Sequence, residues 1–206
     1  MKTITLGIAA CAVVWAGAAS AQAEGATNDA ESRAVTATTV IKRCDTGRTI
    51  GRARLTERAS DEGVKVVEVE IGIRAGLTEG KHAVHIHETG QCEPCSAAKG
   101  HFDPGPHGHS SPDGNHPFHA GDLVNIEITN MGGDVTLDDG TPLGSGRLRT
   151  ITTRVALSDG PLSLFDEDGS ALIIHVDPDS YCPGGEEAGC AGGAREACGV
   201  IVKAAG

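Results

Sequence analysis

Aromatic side chains are scarce: three phenylalanines, one tyrosine and one tryptophan in 206 residues. A core built from this chain must therefore be filled mostly by aliphatic side chains. Cations are in deficit too, with 17 Lys and Arg against 28 Asp and Glu, a net charge of −11. That balance argues against nucleic acid and anionic membrane as main partners, because both need a basic face. The abundant residues are 29 glycines and nine prolines, which favour turns and short strands over long helices. Runs dense in Val and Ile keep the chain out of the disordered class, and its length suits one domain or two.

The only long apolar run is at the start. Lys2 supplies a positive n-region and Ile4 to Ala18 an uncharged apolar stretch. Ala19-Ser20-Ala21 is a small-residue cleavage site, and Ala21-Gln22-Ala23 a second one. Residues 1–21 thus read as a signal peptide, too short and wrongly flanked for a membrane anchor. Ile8-Ala9-Ala10-Cys11 resembles a lipoprotein box, but Cys11 lies very early and apolar residues continue past it. Residues 22–33 are small, polar and acidic with no period, a disordered lead-in to a domain at 34–206. The expected destination is the periplasm or the medium, with no membrane association after cleavage. Six cysteines remain beyond the leader: Cys44, Cys92, Cys95, Cys182, Cys190 and Cys198. An even count in an exported chain reads as disulfides.

From residue 36 the hydrophobic period is two. Val67, Val69, Ile71 and Ile73 alternate with Glu68, Glu70 and Gly72, and Val124 to Thr129 and Leu172 to Val176 repeat the pattern. Shorter strands are expected at Thr36–Lys42, Thr49–Thr56, Lys81–His87, Asp134–Leu137, Leu148–Val155 and Gly199–Lys203. Asp-Gly and Gly-Gly turns between them predict about eight or nine antiparallel strands in a β-sandwich or barrel. Residues 88–121 and 177–197 break the pattern as long loops rich in Gly, Pro and Cys, the kind that carry function.

Eight of the nine histidines fall between His82 and His119. A His-rich tract that scavenges metal without order is one reading. Spacing points to an ordered site instead. His85 and His87 are two apart on a strand and share a face. His175 sits on a second alternating strand, and Asp122 follows His119 by three.

These residues resemble the copper/zinc superoxide dismutases of the bacterial exported kind. Gly76-Leu77-Thr78-Glu79-Gly80-Lys81-His82-Ala83-Val84-His85-Ile86-His87-Glu88 resembles the copper-binding strand with its lead-in. Gly100-His101-Phe102-Asp103-Pro104 resembles the bridging-histidine turn, and His119-Ala120-Gly121-Asp122 the end of the zinc loop. Leu172-Ile173-Ile174-His175 resembles the last copper-ligand strand, and Arg195-Glu196-Ala197-Cys198-Gly199-Val200-Ile201 the C-terminal signature. The likeness runs from about residue 36 to 203.

The resemblance implies a Greek-key β-sandwich closed into a flattened barrel. It implies copper on His85, His87, His101 and His175, and zinc on His101, His109, His119 and Asp122. His107 is the rival of His109, which stands eight residues after His101 as in the family pattern; His116 is the rival of His119. His82 matches a position that packs without binding metal. Asp179 matches the carboxylate that links the two metal sites, and such groups fix the tautomer and orientation of ligands. The implied reaction turns superoxide into oxygen and hydrogen peroxide through alternating copper states, with His101 exchanging a proton. Arg195, three before Cys198, matches the arginine that draws the anionic substrate in; the plainer reading is a guanidinium that pairs with a carboxylate or carbonyl and holds the loop. The resemblance offers Cys198 two partners, Cys92 as in bacterial members and Cys95 as in eukaryotic ones; Cys92–Cys198 is favoured, worth ~3–5 kcal/mol by chain entropy. Cys182–Cys190 is then a clip inside the second loop, with Cys44 and Cys95 left as the third pair. The zinc loop is about one residue longer than usual and carries two spare histidines. A homodimer is among the states that bacterial members adopt. The rival function is an exported copper/zinc carrier on the same fold, distinguished by whether the site turns over.

Overall fold

The computed structural model describes residues 34–104, 116–130, 136, 140, 143–183 and 188–204. The proposed leader and lead-in lie outside the described residues, as do His107, His109 and most of the expected strand Asp134–Leu137. Among the described residues no helix is long and apolar enough to cross a membrane.

Ten antiparallel strands follow the alternation: β1 (Val35–Arg43), β2 (Thr49–Ala59), β3 (Lys65–Leu77), β4 (Gly80–His82), β5 (Val84–His87), β6 (Ile126–Thr129), β7 (Gly144–Thr152), β8 (Ala171–His175), β9 (Arg195–Val200) and β10 (Val202–Lys203). They form one sheet in the order β4-β6-β7-β3-β2-β1-β9-β8-β5, with β10 beside β1. Its two end strands, β4 and β5, are consecutive in the chain and separated only by Ala83. The expected strand Lys81–His87 is thus two strands: β4 pairs with β6, while β5 pairs with β8. The result is an all-β, nearly closed barrel.

Strand β7 begins at Gly144, four residues before the expected Leu148, and ends at Thr152. Its first turns are hidden in the sequence by Gly144 and Gly146. A Cβ on Gly144 would lie 2.5 Å from the Leu77 carbonyl, and one on Gly146 2.3 Å from that of Glu127. Close strand approach therefore requires glycine at positions that otherwise read as loop.

Inward residues of every long strand fill an aliphatic core, among them Ile41, Leu55, Val67, Val69, Ile71, Ile126, Ile128, Leu172 and Ile174, with Phe102 as the one fully packed ring. Strands β5 and β8 are buried on both faces. Their inner residues join the core, and their outer residues lie under the two long loops. There Ala171 and Ile173 pack with Ala98, Cys95 and Cys198 in a second, smaller cluster. Disulfides Cys92–Cys198 and Cys44–Cys95 fasten the first loop over this cluster, to β9 and to the end of β1. Cys182–Cys190 closes the second loop on itself.

On the far side, buried Glu57 organises the segment after β7. Its carboxylate accepts hydrogen bonds from the Leu157 and Ser158 amides and, at 2.6 Å, from the Ser158 hydroxyl. Burial opposes the charge, but these bonds and Lys65 hold the Glu57 pKa below its usual value of 4.5. A depressed carboxylate stabilises the fold above its unfolded pKa and loses that contribution as pH falls through the folded one. Glu57→Gln should therefore cost about 1–3 kcal/mol at pH 7. In urea titrations the gap from the parent should shrink as pH drops below about 4.5.

Candidate metal centre

The β5 pleat sends Val84 and Ile86 into the core and His85 and His87 to the outer face, beside Ile173 and Ala171 of β8. The free edge of β5 is taken by the first loop: Phe102 donates to the Ile86 carbonyl at 2.8 Å, and Ile86 donates to that of Gly121 at 2.9 Å. Gly121 packs so tightly there that a Cβ would sit 2.2 Å from the Ile86 oxygen. This edge pairing sets His101 opposite His87 and Asp122 opposite His85. His175 ends β8.

One potential ligand atom from each of His85, His87, His101 and His175 lies within 4.8 Å of the others. Each outer nitrogen is engaged elsewhere. His87 Nδ1 faces the Lys99 carbonyl at 2.8 Å, His175 Nδ1 that of Gly193 at 3.0 Å, and His85 Nε2 the Asp179 carboxylate at 3.0 Å. Acceptors on those nitrogens assign the protons outward and leave lone pairs on His87 Nε2, His175 Nε2 and His85 Nδ1. His85 Nδ1 and His175 Nε2 are 3.2 Å apart, and buried His87 Nε2 has no hydrogen-bond partner among the described residues. Converging lone pairs without a donor are the chemistry of a cation site, and an all-imidazole set suits copper. Burial drives the His87 pKa down to about 2 and that of His175 to about 4, with neighbouring imidazoles and Arg195 adding to it. Both rings are therefore neutral at pH 7.

His101 shares a second group with His85, His116 and Asp122. Its Nδ1 lies 2.7 Å from one Asp122 oxygen, while His116 Nδ1 and His119 Nδ1 lie 3.1 and 3.3 Å from the other. The His119 amide also donates to Asp122 at 3.0 Å. Burial opposes ionisation of Asp122, but the three imidazoles hold its pKa far below the carboxylate range. Three nitrogens and one carboxylate are a zinc-type donor set. His116 and His119, rivals in the sequence, both face this carboxylate. His116 Nε2 reaches Asp179, the carboxylate that also holds His85.

Asp179 is itself gripped by Asn125. The Asn125 side chain donates to the Asp179 carbonyl at 3.0 Å and accepts from its amide at 2.8 Å. The Tyr181 amide donates to the Asp179 carboxylate at 2.6 Å. Arg195 donates to the carbonyls of Cys95, at 2.7 Å, and Lys99. Its guanidinium thus holds the first loop and also lines a cleft of about 440 Å³ with His87, His101 and His175.

Sequence reading missed Asn125 and an ion chain behind the site. His82 Nε2 faces the Thr78 carbonyl at 3.0 Å; Nδ1 faces that of His175 at 2.8 Å and Glu196 at 3.4 Å. Glu196 in turn pairs with Arg43 at 3.2 Å, and Arg43 continues to Asp45. Although burial opposes protonation, Glu196 and the two carbonyls raise the His82 pKa. No local signal marks this chain, whose members are widely separated in sequence.

The profile of the copper/zinc superoxide dismutase (SODC) family matches residues 49–201. Superoxide dismutase Cu-Zn 2 of Aquifex aeolicus is 39% identical over 160 residues, covering 75% of this chain and 80% of that one. The Cu-Zn superoxide dismutase of Deinococcus radiodurans is 36% identical over 168 residues, covering 76% and 79%. Among solved structures, a double mutant of a SOD-like protein from Bacillus subtilis superposes with a TM-score of 0.52 at 32% identity, covering 79% of this chain and 95% of that one. The clock protein EA4 gives 0.55 at 26% identity, covering 81% and 92%. The chain belongs to the copper/zinc superoxide dismutase family. It is an oxidoreductase of that type, with copper and zinc as its metals.

Glu196 lies between the largely buried Arg43 guanidinium and the His82 ring, both of whose nitrogens face acceptors. Removing one member of such a group leaves uncompensated charge. Glu196→Ala should lower unfolding stability by about 3 kcal/mol, and Glu196→Gln by less, measured by urea denaturation at pH 7.

Proposed function

We infer that the chain dismutes superoxide at a two-metal centre: copper on His85, His87, His101 and His175, zinc on His101, His116, His119 and Asp122. The observation that carries this reading is His101: like His85 it belongs both to a four-histidine cluster and to a group closed by a carboxylate, and of the two it alone sets a ring nitrogen 2.7 Å from Asp122, His85 turning its outer nitrogen to Asp179. Copper would supply one-electron redox chemistry there, and zinc a fixed positive charge without redox activity of its own. His101 takes and returns a proton on the side away from Asp122, where it borders the cleft. Asp179 keeps His85 and His116 in the orientation that turns Nδ1 of each inward. His116 takes the position that the family likeness gives to His109, supported by its burial and its two carboxylate contacts. The zinc donors, His101, His116, His119 and Asp122, come from one stretch of chain, which the metal would tie together. Export to an oxidising compartment accords with three disulfides.

Metal content separates the roles. His175→Ala should lose copper and activity while keeping zinc, and Asp122→Ala should lose zinc first. His116→Ala should lose zinc where His109→Ala retains it. Elemental analysis of the purified variants decides each; zinc lost before copper in His175→Ala, or zinc lost only with His109, would refute the assignment.

Arg195 provides a positive charge at the cleft of an acidic chain, where superoxide must enter. Arg195→Ala should cut kcat/KM about tenfold with copper content unchanged, and Arg195→Lys should keep part of the rate. The parent rate should fall with ionic strength more steeply than that of the Ala variant. An unchanged rate, or a loss explained by copper loss, would leave Arg195 only its loop-holding role.

A further inference from the structure

The outer face of β2, β3 and β7 lies across the barrel from β8, and it carries a cluster of cations that the metal centre does not use. Strand register sorts its side chains into rows. One row reads Arg54–Glu70–Arg149, and the next on the same face reads Arg52–Gly72–Arg147. In the first row the middle strand supplies an anion: Arg149 pairs with Glu70 at 3.7 Å and with Glu68. In the second row glycine replaces that anion. Arg74, two residues along β3, faces the same way. Among the described residues Arg52, Arg74 and Arg147 make no ion pair or side-chain hydrogen bond. Glu127 of β6 stands beside Arg147 in the register without pairing with it, so three guanidiniums share this face with no carboxylate within 4.0 Å, in a chain with 11 excess negative charges.

The glycine between them is not demanded by packing. A Cβ on Gly72 would meet nothing within 4 Å, and its φ lies outside the left-handed region. Its neighbour Gly51 differs, since a Cβ there would lie 2.4 Å from the Gly72 carbonyl. Gly72 therefore leaves a bare floor between two arginines whose backbones stand two strand spacings apart, about 9–10 Å. The groove over that floor has a volume of about 810 Å³ and also takes in Arg48.

Forked guanidiniums match the oxygens of phosphoryl groups two at a time. The groove is far larger than one phosphate, and its cations are spread along it. Among the described residues it contains no aromatic ring on which a base could stack, which disfavours single-stranded nucleic acid. Among the described residues its rim holds no exposed large apolar side chain to enter a lipid layer. We propose that the groove over Gly72 binds a linear condensed phosphate, with successive phosphoryl groups held by Arg52, Arg74 and Arg147. This is a site for free polyanion, separate from the metal centre and from superoxide.

The test uses the metal-loaded protein and calorimetric titration at low salt. The probes are inorganic polyphosphate, orthophosphate and oligothymidylate of matched charge. Polyphosphate should bind at least tenfold more tightly than oligothymidylate and about 100-fold more tightly than orthophosphate, weakening as salt rises. Gly72→Glu, which supplies the missing anion of the row, should weaken polyphosphate about tenfold or more. Gly72→Ala should bind like the parent. The pair Arg52→Ala and Arg147→Ala should weaken binding without adding a charge, which covers the case of a poorly folding Glu variant. Dismutation should be the same in all of them. Parent-like binding by Gly72→Glu or by the double Ala variant would overturn the proposal. So would equal losses in Gly72→Ala and Gly72→Glu, equal affinity for oligothymidylate, or no binding to polyphosphate.

Discussion

A single buried carboxylate, that of Asp179, accepts hydrogen bonds from His85 and His116 at 3.0 and 2.8 Å. One of these histidines is fixed by β5 and the other comes from a long loop. A buried anion is tolerated only where its lone pairs are answered, so each contact is a condition on the rest. The Asn125 clasp fixes the Asp179 backbone at both its amide and its carbonyl. Residues just before β6 thereby position a group in the loop after β8, and the histidine cluster inherits its spacing from that grip. Asp122 does the same work on the neighbouring side, with three imidazoles around one carboxyl.

The barrel makes this grip available by the way it closes. The ladder's two end strands are successive stretches of chain, with Ala83 between them. The edge that β5 would otherwise expose is occupied by loop residues, and those residues are the ones next to His101 and Asp122. Covering an edge and building a site are here one event. It also explains why β5 and β8 are buried on both faces in an antiparallel sheet, where one wet face is the usual arrangement. Two disulfides, whose cysteines belong to or pack against the second cluster, fasten the cover over it.

Legibility in the sequence tracked locality. The Val67–Ile73 alternation, the His85/His87 pair and the His119/Asp122 spacing are short-range patterns, and each lies on a strand or turn where it was read. The start of β7 was not legible, because its glycines answer to neighbouring backbone and leave no period. The place of His116 depends on how a long loop folds back to reach Asp179, 63 residues away. The Arg43–Glu196–His82 chain joins residues that only the finished sheet brings together. Family likeness implies ligand roles to which periodicity is blind, and the groove over Gly72 emerged only from strand register.

The aliphatic core has a consequence for observing this molecule. With Trp15 in the proposed leader, Tyr181 is the sole phenol or indole in the remaining chain. It stands two residues past Asp179, held in a left-handed backbone conformation at φ 60°. Its hydroxyl lies 3.4 Å from the amide of Asn125, the residue that clasps Asp179. Tyrosine emission from the domain therefore originates at one spot, beside the residue that clasps Asp179. The fold has in effect placed a solitary chromophore at its own keystone, so the ordering of that corner is open to direct optical observation without a label.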